Sequence, residues 1–329
     1  MSGNTYTNVG QRTNVYAPMD FLENAEPRAI LTKFGATKPL PKNKSETQKF
    51  RRSVPFPALT TVLTEGVTPT SRAMQFEDVS VTMQEWGDLV ECTDRVRDLN
   101  EDPVIKEATK ELSKQAVNTM ETVIWGVIKA GSSVSYANGT QRTDVNTALS
   151  LSKLRASIAT LDSNYADPVE EMVKPSVNYG TTPIEPTYLA FGHTNLKNDI
   201  RNLPGFVPVA EYGSSMRAVS KYEFGAVEET RFILSPLFTP FLAGGSATLN
   251  GMRNSSSAVD VYPLVIVGKN AYAQIPLKGA KAVEIFLHNT ADKSDPLNQR
   301  DMVGAKYWFT AVRLNDNWMT RIEVGCTSL

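Results

Sequence analysis

Two histidines, His193 and His288, stand far apart in a chain of 329 residues and show no metal-ligand spacing. Imidazole is the commonest proton shuttle and transition-metal ligand near neutral pH, so this scarcity narrows the available chemistry. His288 ends the run Val283 to Leu287 and reads, like His193, as a structural hydrogen-bonding residue. The glycine-rich stretches 131–133 and 244–246 match neither a phosphate-binding loop nor a dinucleotide fingerprint, and no serine occupies a G-x-S-x-G elbow. Asp292, Asp295 and Asp301 would suit a hard cation, but their spacing fits no calcium loop and reads as a solvated turn. Glu170 and Glu171 are the adjacent carboxylates that a hydrolase working with carboxylates alone, such as a glycosidase, would draw on; the simpler reading is a solvated loop. Asn43-Lys44-Ser45, Asn138-Gly139-Thr140 and Asn254-Ser255-Ser256 are glycosylation sequons, which matter only in a secreted chain. The expectation is a protein that is not an enzyme and has no catalytic, cofactor or metal site.

Charge is more informative. Overall it nearly cancels, 34 basic against 35 acidic residues, which argues against a protein that grips a polyanion by its total charge. Locally it does not cancel. From Thr37 to Ser53 six basic residues (Lys38, Lys42, Lys44, Lys49, Arg51, Arg52) face Glu46 alone, and from Glu77 to Asp102 nine acidic residues, among them Glu85, Asp88 and Glu91, face Arg95 and Arg97. Between the two lies a turn-rich segment with Pro55, Pro57, Gly66 and Pro69, and Val79, Val81 and Met83 then alternate with polar residues as in a strand. The pattern predicts a long hairpin, basic on one limb and acidic beyond the other. An isolated two-stranded hairpin is marginal in water, and Phe50, Val54, Phe56, Leu59, Val62 and Leu63 add apolar area that the surrounding polar sequence does not cover. That area either folds back on its own subunit or lies on a neighbouring copy. Arg51 and Arg52 have three possible counterparts: acidic groups of a neighbouring copy, nucleic acid, or the acidic limb of the same hairpin. The net charge favours the neighbouring copy, with Glu85, Asp88 and Glu91 as complements.

Hydrophobic periodicity supplies the elements that hold this hairpin. Residues 1–18 show no period and read as an arm, followed by a short amphipathic helix from Asp20 to Phe34. Asp102-Pro103 is a helix start, and Ile105, Ala108, Leu112, Ala116, Met120, Val123 and Val127 recur every three or four residues up to Gly131, a helix of roughly 42 Å. Leu151 to Leu161 forms a second helix, Thr187 to Phe191 a strand leading to a helix near 195–203, and 204–279 a mixture of short strands, Gly and Pro. Three strands close the chain, at Val283 to Leu287, Tyr307 to Leu314 and Thr320 to Val324. No apolar run reaches the roughly 20 residues of a membrane helix. The polar first residues lack a secretory signal plan, and with only Cys92 and Cys326 the chain reads as intracellular and free of disulfides.

The order arm, basic hairpin, long helix, mixed domain and returning strands resembles that of the major capsid proteins of tailed bacteriophages, the α+β Hong Kong 97-type (Johnson) fold. At the end of the chain, Asp295-Pro296-Leu297-Asn298-Gln299-Arg300, Val303-Gly304 and the run from Lys306-Tyr307-Trp308-Phe309 through Thr310-Ala311-Val312-Arg313-Leu314-Asn315-Asp316-Asn317 to Trp318-Met319 resemble the closing segment of the phage N-four-type capsid family. The resemblance implies an icosahedral shell of hexamers and pentamers enclosing double-stranded DNA, assembled in the host bacterial cytoplasm. It divides the chain into an N-terminal arm (1–36), an extended loop (37–92), a peripheral domain (93–186) with a spine helix (102–130), an axial domain (187–280), and returning peripheral strands with a C-terminal strand (281–329). It further implies a portal partner, a scaffolding protein encoded separately if one is used, decoration proteins in some relatives, and non-specific contact with packaged DNA. Some relatives cross-link lysine to asparagine; Lys42, Lys44 and Lys49 lie in the corresponding region, but no motif marks a reactive one. The subunit-interface residues expected on the extended loop are Lys49, Phe50, Arg51, Arg52, Phe56, Leu59, Leu63, Glu85, Asp88 and Glu91. An encapsulin-like nanocompartment around a protein cargo is the alternative on the same fold, and the carboxylate-only hydrolase the alternative outside it.

Overall fold

The computed structural model describes residues 29–60, 62–63, 65–99, 103–174, 180–212, 218–278, 283–288, 295–297 and 299–328. The expected arm, most of the helix from Asp20, and Asp102 and Asp292 lie outside them. In chain order the first elements are a one-turn helix α1 (Leu31–Phe34), the short strands β1 (Ala36–Thr37) and β2 (Leu40–Pro41), the strands β3 (Thr47–Ser53), β4 (Phe76–Thr82) and β5 (Glu85–Thr93), and α2 (Asp94–Leu99). The long helix α3 (Val104–Ile128) follows, then β6 (Val134–Tyr136), α4 (Leu151–Ser163), β7 (Val169–Lys174), β8 (Gly180–His193), α5 (Lys197–Arg201) and β9 (Phe206–Pro208). The last strands are β10 (Glu223–Val227), β11 (Thr230–Ser235), β12 (Tyr262–Val267), β13 (Tyr272–Lys278), β14 (Glu284–His288), β15 (Arg300–Arg313) and β16 (Met319–Val324).

The 25 residues of α3 realise the apolar stripe read from the sequence, with Leu112, Ala116, Ile124, Trp125 and Ile128 buried. They lie against the strand that the sequence marks as most apolar. In β15, Val303, Ala305, Tyr307, Phe309 and Ala311 are buried at every second position and join the α3 side chains in two adjoining clusters. β5 and β14 pair with the first half of β15 on opposite edges, and β13 pairs with its second half, all antiparallel. The end of α3 is closed from a distance: the Arg321 guanidinium donates to the carbonyl of Lys129 and, at 3.4 Å, to that of Gly131, placing a cation where helix carbonyls are otherwise unpaired.

A second sheet has the order β6-β16-β12-β8-β11-β10-β9, with β7 on β8. Its central strands β11, β12 and β16 are buried at all positions because both faces are covered. Leu189, Phe191, Ile233 and Val265 face Ile124, Trp125 and Ile128 of α3, while Tyr188, Ala190, Phe232, Leu264 and Ile322 face Leu154, Ile158 and Leu161 of α4. β6 and the C-terminal strand β16 lie in the second sheet, on which α4 packs, and β13 pairs with β15. Periodicity marks a strand but carries no information about its partner.

Candidate subunit interface

The predicted hairpin is present and its two ends behave differently. β3 and β4 pair antiparallel with Phe50 opposite Val79, Arg51 opposite Asp78 and Arg52 opposite Glu77. Near its root, Phe50, Val79 and Val81 pack on Leu40, Met83, Ala273, Ile275 and Val312, so this end is sewn into the first sheet. Beyond Ser53 and Phe76 the ladder continues only through the Val54 N–H to the Gln75 carbonyl, at 2.9 Å. Past that bond the tip exposes Phe56 at 55%, Leu59 at 80%, Val62 at 94% and Leu63 at 72%. Nothing among the described residues covers them, and such a run on a surface is characteristic of an interaction site.

Lys49, Arg51 and Arg52 are paired within the chain. Arg51 Nε donates to Asp78 Oδ1 at 2.7 Å and Nη2 to Oδ2 at 3.0 Å, a bidentate contact, and Lys49 Nζ lies 3.4 Å from Asp78 Oδ2. Arg52 Nε donates to Glu77 Oε2 at 2.7 Å. The Arg51 guanidinium holds the Asp78 carboxyl down at about 2. Across the adjoining sheet, Glu85 pairs with Lys306, Glu91 Oε1 stands 3.9 Å from Arg300 Nε, and Asp88 Oδ2 accepts from Gln115 Nε2 at 2.7 Å. Gln115 and the Leu89 N–H together lower the Asp88 carboxyl. Within the subunit, Arg51 and Arg52 thus meet the acids of their own hairpin, one of the three counterparts open to them. In an antiparallel ladder directly opposed side chains are about 5 Å apart, and the register places acids opposite both arginines.

A second anchor lies on α3. Glu121 is fully buried, and its carboxylate accepts from the N–H groups of Ile30 (3.0 Å), Leu31 (2.9 Å) and Thr32 (3.0 Å) and from the Thr32 hydroxyl (3.0 Å). These are unpaired donors at the start of α1, so the spine helix supplies the cap that the helix lacks in its own sequence. Burial pushes the Glu121 carboxyl up, and the Thr32, Leu31 and Ile30 donors pull it back. At the other end of α1, Tyr272 Oη donates to the Leu31 carbonyl at 2.7 Å and Gln274 Nε2 to the Thr32 carbonyl at 2.8 Å. Gly35 follows, where a side chain would collide with the Tyr272 ring.

A family model described as phage capsid protein matches residues 76–320, about three quarters of the chain. The chain belongs to the phage capsid protein family. No match is found among the curated proteins. Among solved structures, the capsid of Ralstonia phage GP4 superposes with a TM-score of 0.70 at 12% identity, covering 99% of this chain and 99% of that chain. The head structure of Helicobacter pylori bacteriophage KHP40 gives 0.65 at 10% identity over 99% and 98%, and the cyanophage Pam1 capsid asymmetric unit 0.62 at 12% over 99% and 99%. Likeness at this level of identity is one of fold, and the fold is the Hong Kong 97-type α+β arrangement. The role of this capsid protein is structural, as a major capsid protein of a bacteriophage virion.

Of the residues expected at its interface, Lys49, Arg51, Arg52, Phe50 and the tip residues Phe56, Leu59 and Leu63 share the hairpin, while Glu85, Asp88 and Glu91 lie on β5. Glu170 is exposed on β7, and the Glu171 side chain lies outside the described set. No cluster of three potential metal ligands occurs among the described residues, and no described helix is long and apolar enough to cross a membrane. The anchor Glu121 carries no motif. Its one signal is an acidic residue three positions before Ile124 and four before Trp125, on a helix face that is otherwise apolar.

Proposed function

We propose that the capsid protein assembles into an icosahedral shell of hexamers and pentamers around double-stranded DNA, and that the hairpin tip is its principal contact with a neighbouring copy. The uncovered apolar tip carries this reading: Phe56, Leu59, Val62 and Leu63 contribute area that favours folding only if another surface buries it. The root positions the tip. Lys49 and Arg51, which share Asp78, and Arg52, which pairs with Glu77, stiffen the ladder, and Phe50 fixes it to the sheet. Glu85 and Asp88, exposed on β5, and the half-buried Glu91 then border the contact. Heterologous contacts of this kind, repeated around an axis, close into rings. Assembly takes place in the host bacterial cytoplasm, with a portal and, where used, separate scaffolding or decoration proteins, and contact with DNA is non-specific.

Sedimentation and electron microscopy of the purified protein, with extraction of the contents, test this directly. Closed shells containing nucleic acid are expected. Leu59→Asp with Leu63→Asp should leave the melting temperature of the unassembled subunit unchanged, because both side chains are already in water, and should abolish shells. A double variant that still assembles would remove the tip from the interface, and a wild-type protein that stays monomeric at high concentration would remove the shell.

A further inference from the structure

Arg253 lies on the loop between β11 and β12, its backbone fixed at both ends: its N–H donates to the Cys326 carbonyl at 2.7 Å and its carbonyl accepts from Asp260 N–H at 2.9 Å. Its side chain lines a polar cleft of about 460 Å³ together with Asn195, Tyr262, Ser255, Ser328 and Asp260. The other charged groups around the cleft are already committed. Asp260 is buried, and accepts from Ala243 N–H at 2.8 Å and from Ser255 Oγ at 2.6 Å. His193 accepts the Asn195 N–H on Nδ1 at 3.0 Å, and burial together with the Arg253 charge favours its neutral form. Asn195 Nδ2 uses one hydrogen on Tyr262 Oη, at 3.0 Å. The Arg253 guanidinium, on a partly buried residue, has no acceptor among the described residues. None of its nitrogens is sealed from water, so its five donors are open to an acceptor that enters the cleft.

We propose that this cleft is an oxyanion-binding site and that its occupant in the shell is a carboxylate side chain of a second copy of this chain. A guanidinium fork binds a planar carboxylate through two parallel hydrogen bonds, and the free Asn195 amide hydrogen and the Ser328 hydroxyl supply further donors. A protein carboxylate is favoured over a nucleic-acid phosphate on two grounds. Leu242, 66% exposed, and Pro240 form an apolar rim that a protein surface covers and a phosphodiester does not. Among the residues lining the cleft Arg253 is the one cation, with the Asp260 carboxylate beside it, whereas backbone binding to nucleic acid draws on several cations.

The inference rests on the reading that copies of this chain assemble, and two measurements keep the two apart. In the first, sedimentation compares wild type with Arg253→Gln, Arg253→Glu and Arg253→Lys. The glutamate variant should form no shells, the glutamine variant should need at least about tenfold more protein for half-assembly, and lysine should fall between glutamine and wild type. In the second, the melting temperature of unassembled protein is followed as inorganic phosphate replaces chloride at constant ionic strength. Phosphate should raise it in wild type and not in Arg253→Gln. Glutamine and glutamate variants that assemble like wild type overturn the proposal, including when phosphate binding depends on Arg253, since the occupant is then a free anion. If wild type itself forms no shells, the assembly reading fails separately, and an equal phosphate response in wild type and Arg253→Gln overturns the site.

Discussion

Replacing Glu121 with alanine isolates the contact between the spine helix and the chain before it. The wild-type carboxylate holds three consecutive backbone N–H groups and one hydroxyl at 2.9 to 3.0 Å, all in a buried or part-buried setting. Hydrogen bonds to a charged group contribute about 1.5–3 kcal/mol each, and a donor left unpaired in the interior costs about 1–3 kcal/mol. The gross loss is therefore large, but it is offset by release of the carboxylate burial cost, several kcal/mol, which is the cause of its raised protonation range. The expected net destabilisation is about 3–5 kcal/mol for Glu121→Ala. Glu121→Gln keeps the shape and one acceptor but turns an amide donor toward one of the N–H groups, so its cost is smaller, about 1–2 kcal/mol. Chemical denaturation followed by the fluorescence of buried Trp125, with limited proteolysis mapped over residues 29–40, reads both the global and the local effect. An alanine variant with an unchanged midpoint and unchanged protection of 29–40 would refute the view that this carboxylate seats the segment.

Leu112→Asp should abolish soluble folding, because an unpartnered carboxylate placed between α3 and Val303 and Ala305 costs several kcal/mol, whereas Lys114→Glu loses one exposed contact with Glu111 and should be mild. Arg51→Glu with Arg52→Glu sets acid against acid across the ladder and should block assembly even without DNA. Rescue is expected from Asp78→Arg with Glu77→Arg, and rescue by charge reversal at Glu85, Asp88 and Glu91 instead would restore the inter-subunit pairing. The Asp78 carboxyl is depressed to about 2, so its contribution to the hairpin is full above its ordinary value near 3.8 and is lost as pH falls through about 2. Amide exchange across Thr47–Ser53 should report this loss in wild type and none in Asp78→Asn.

Elements were legible in the sequence wherever one physical pattern dominated. The stripe from Ile105 to Val127 specifies α3 because a helix with one apolar face has to bury it, whereas the period of two in β14 and β16 marks strands without saying what covers them: Ile285 and Leu287 stay exposed and β16 is buried on both faces. The sequence marks Leu59, Val62 and Leu63 as apolar area among polar and turn residues but leaves open whether their own subunit covers them, and the structure shows them exposed. The sequence could not assign partners. The basic segment 37–53 and the acidic segment 77–102 do not say which acid lies opposite Arg51 within the hairpin; the β3–β4 register, which depends on both strands at once, places Asp78 there. Likewise Glu121 reads as one more polar helix residue until residues 30–32 arrive from 90 positions away, and the sequence of β13 does not name β15 as its partner. Local sequence determines which faces are apolar and which segments are regular. Pairing across long separations is set by the mutual fit of surfaces, and so belongs to the tertiary structure alone.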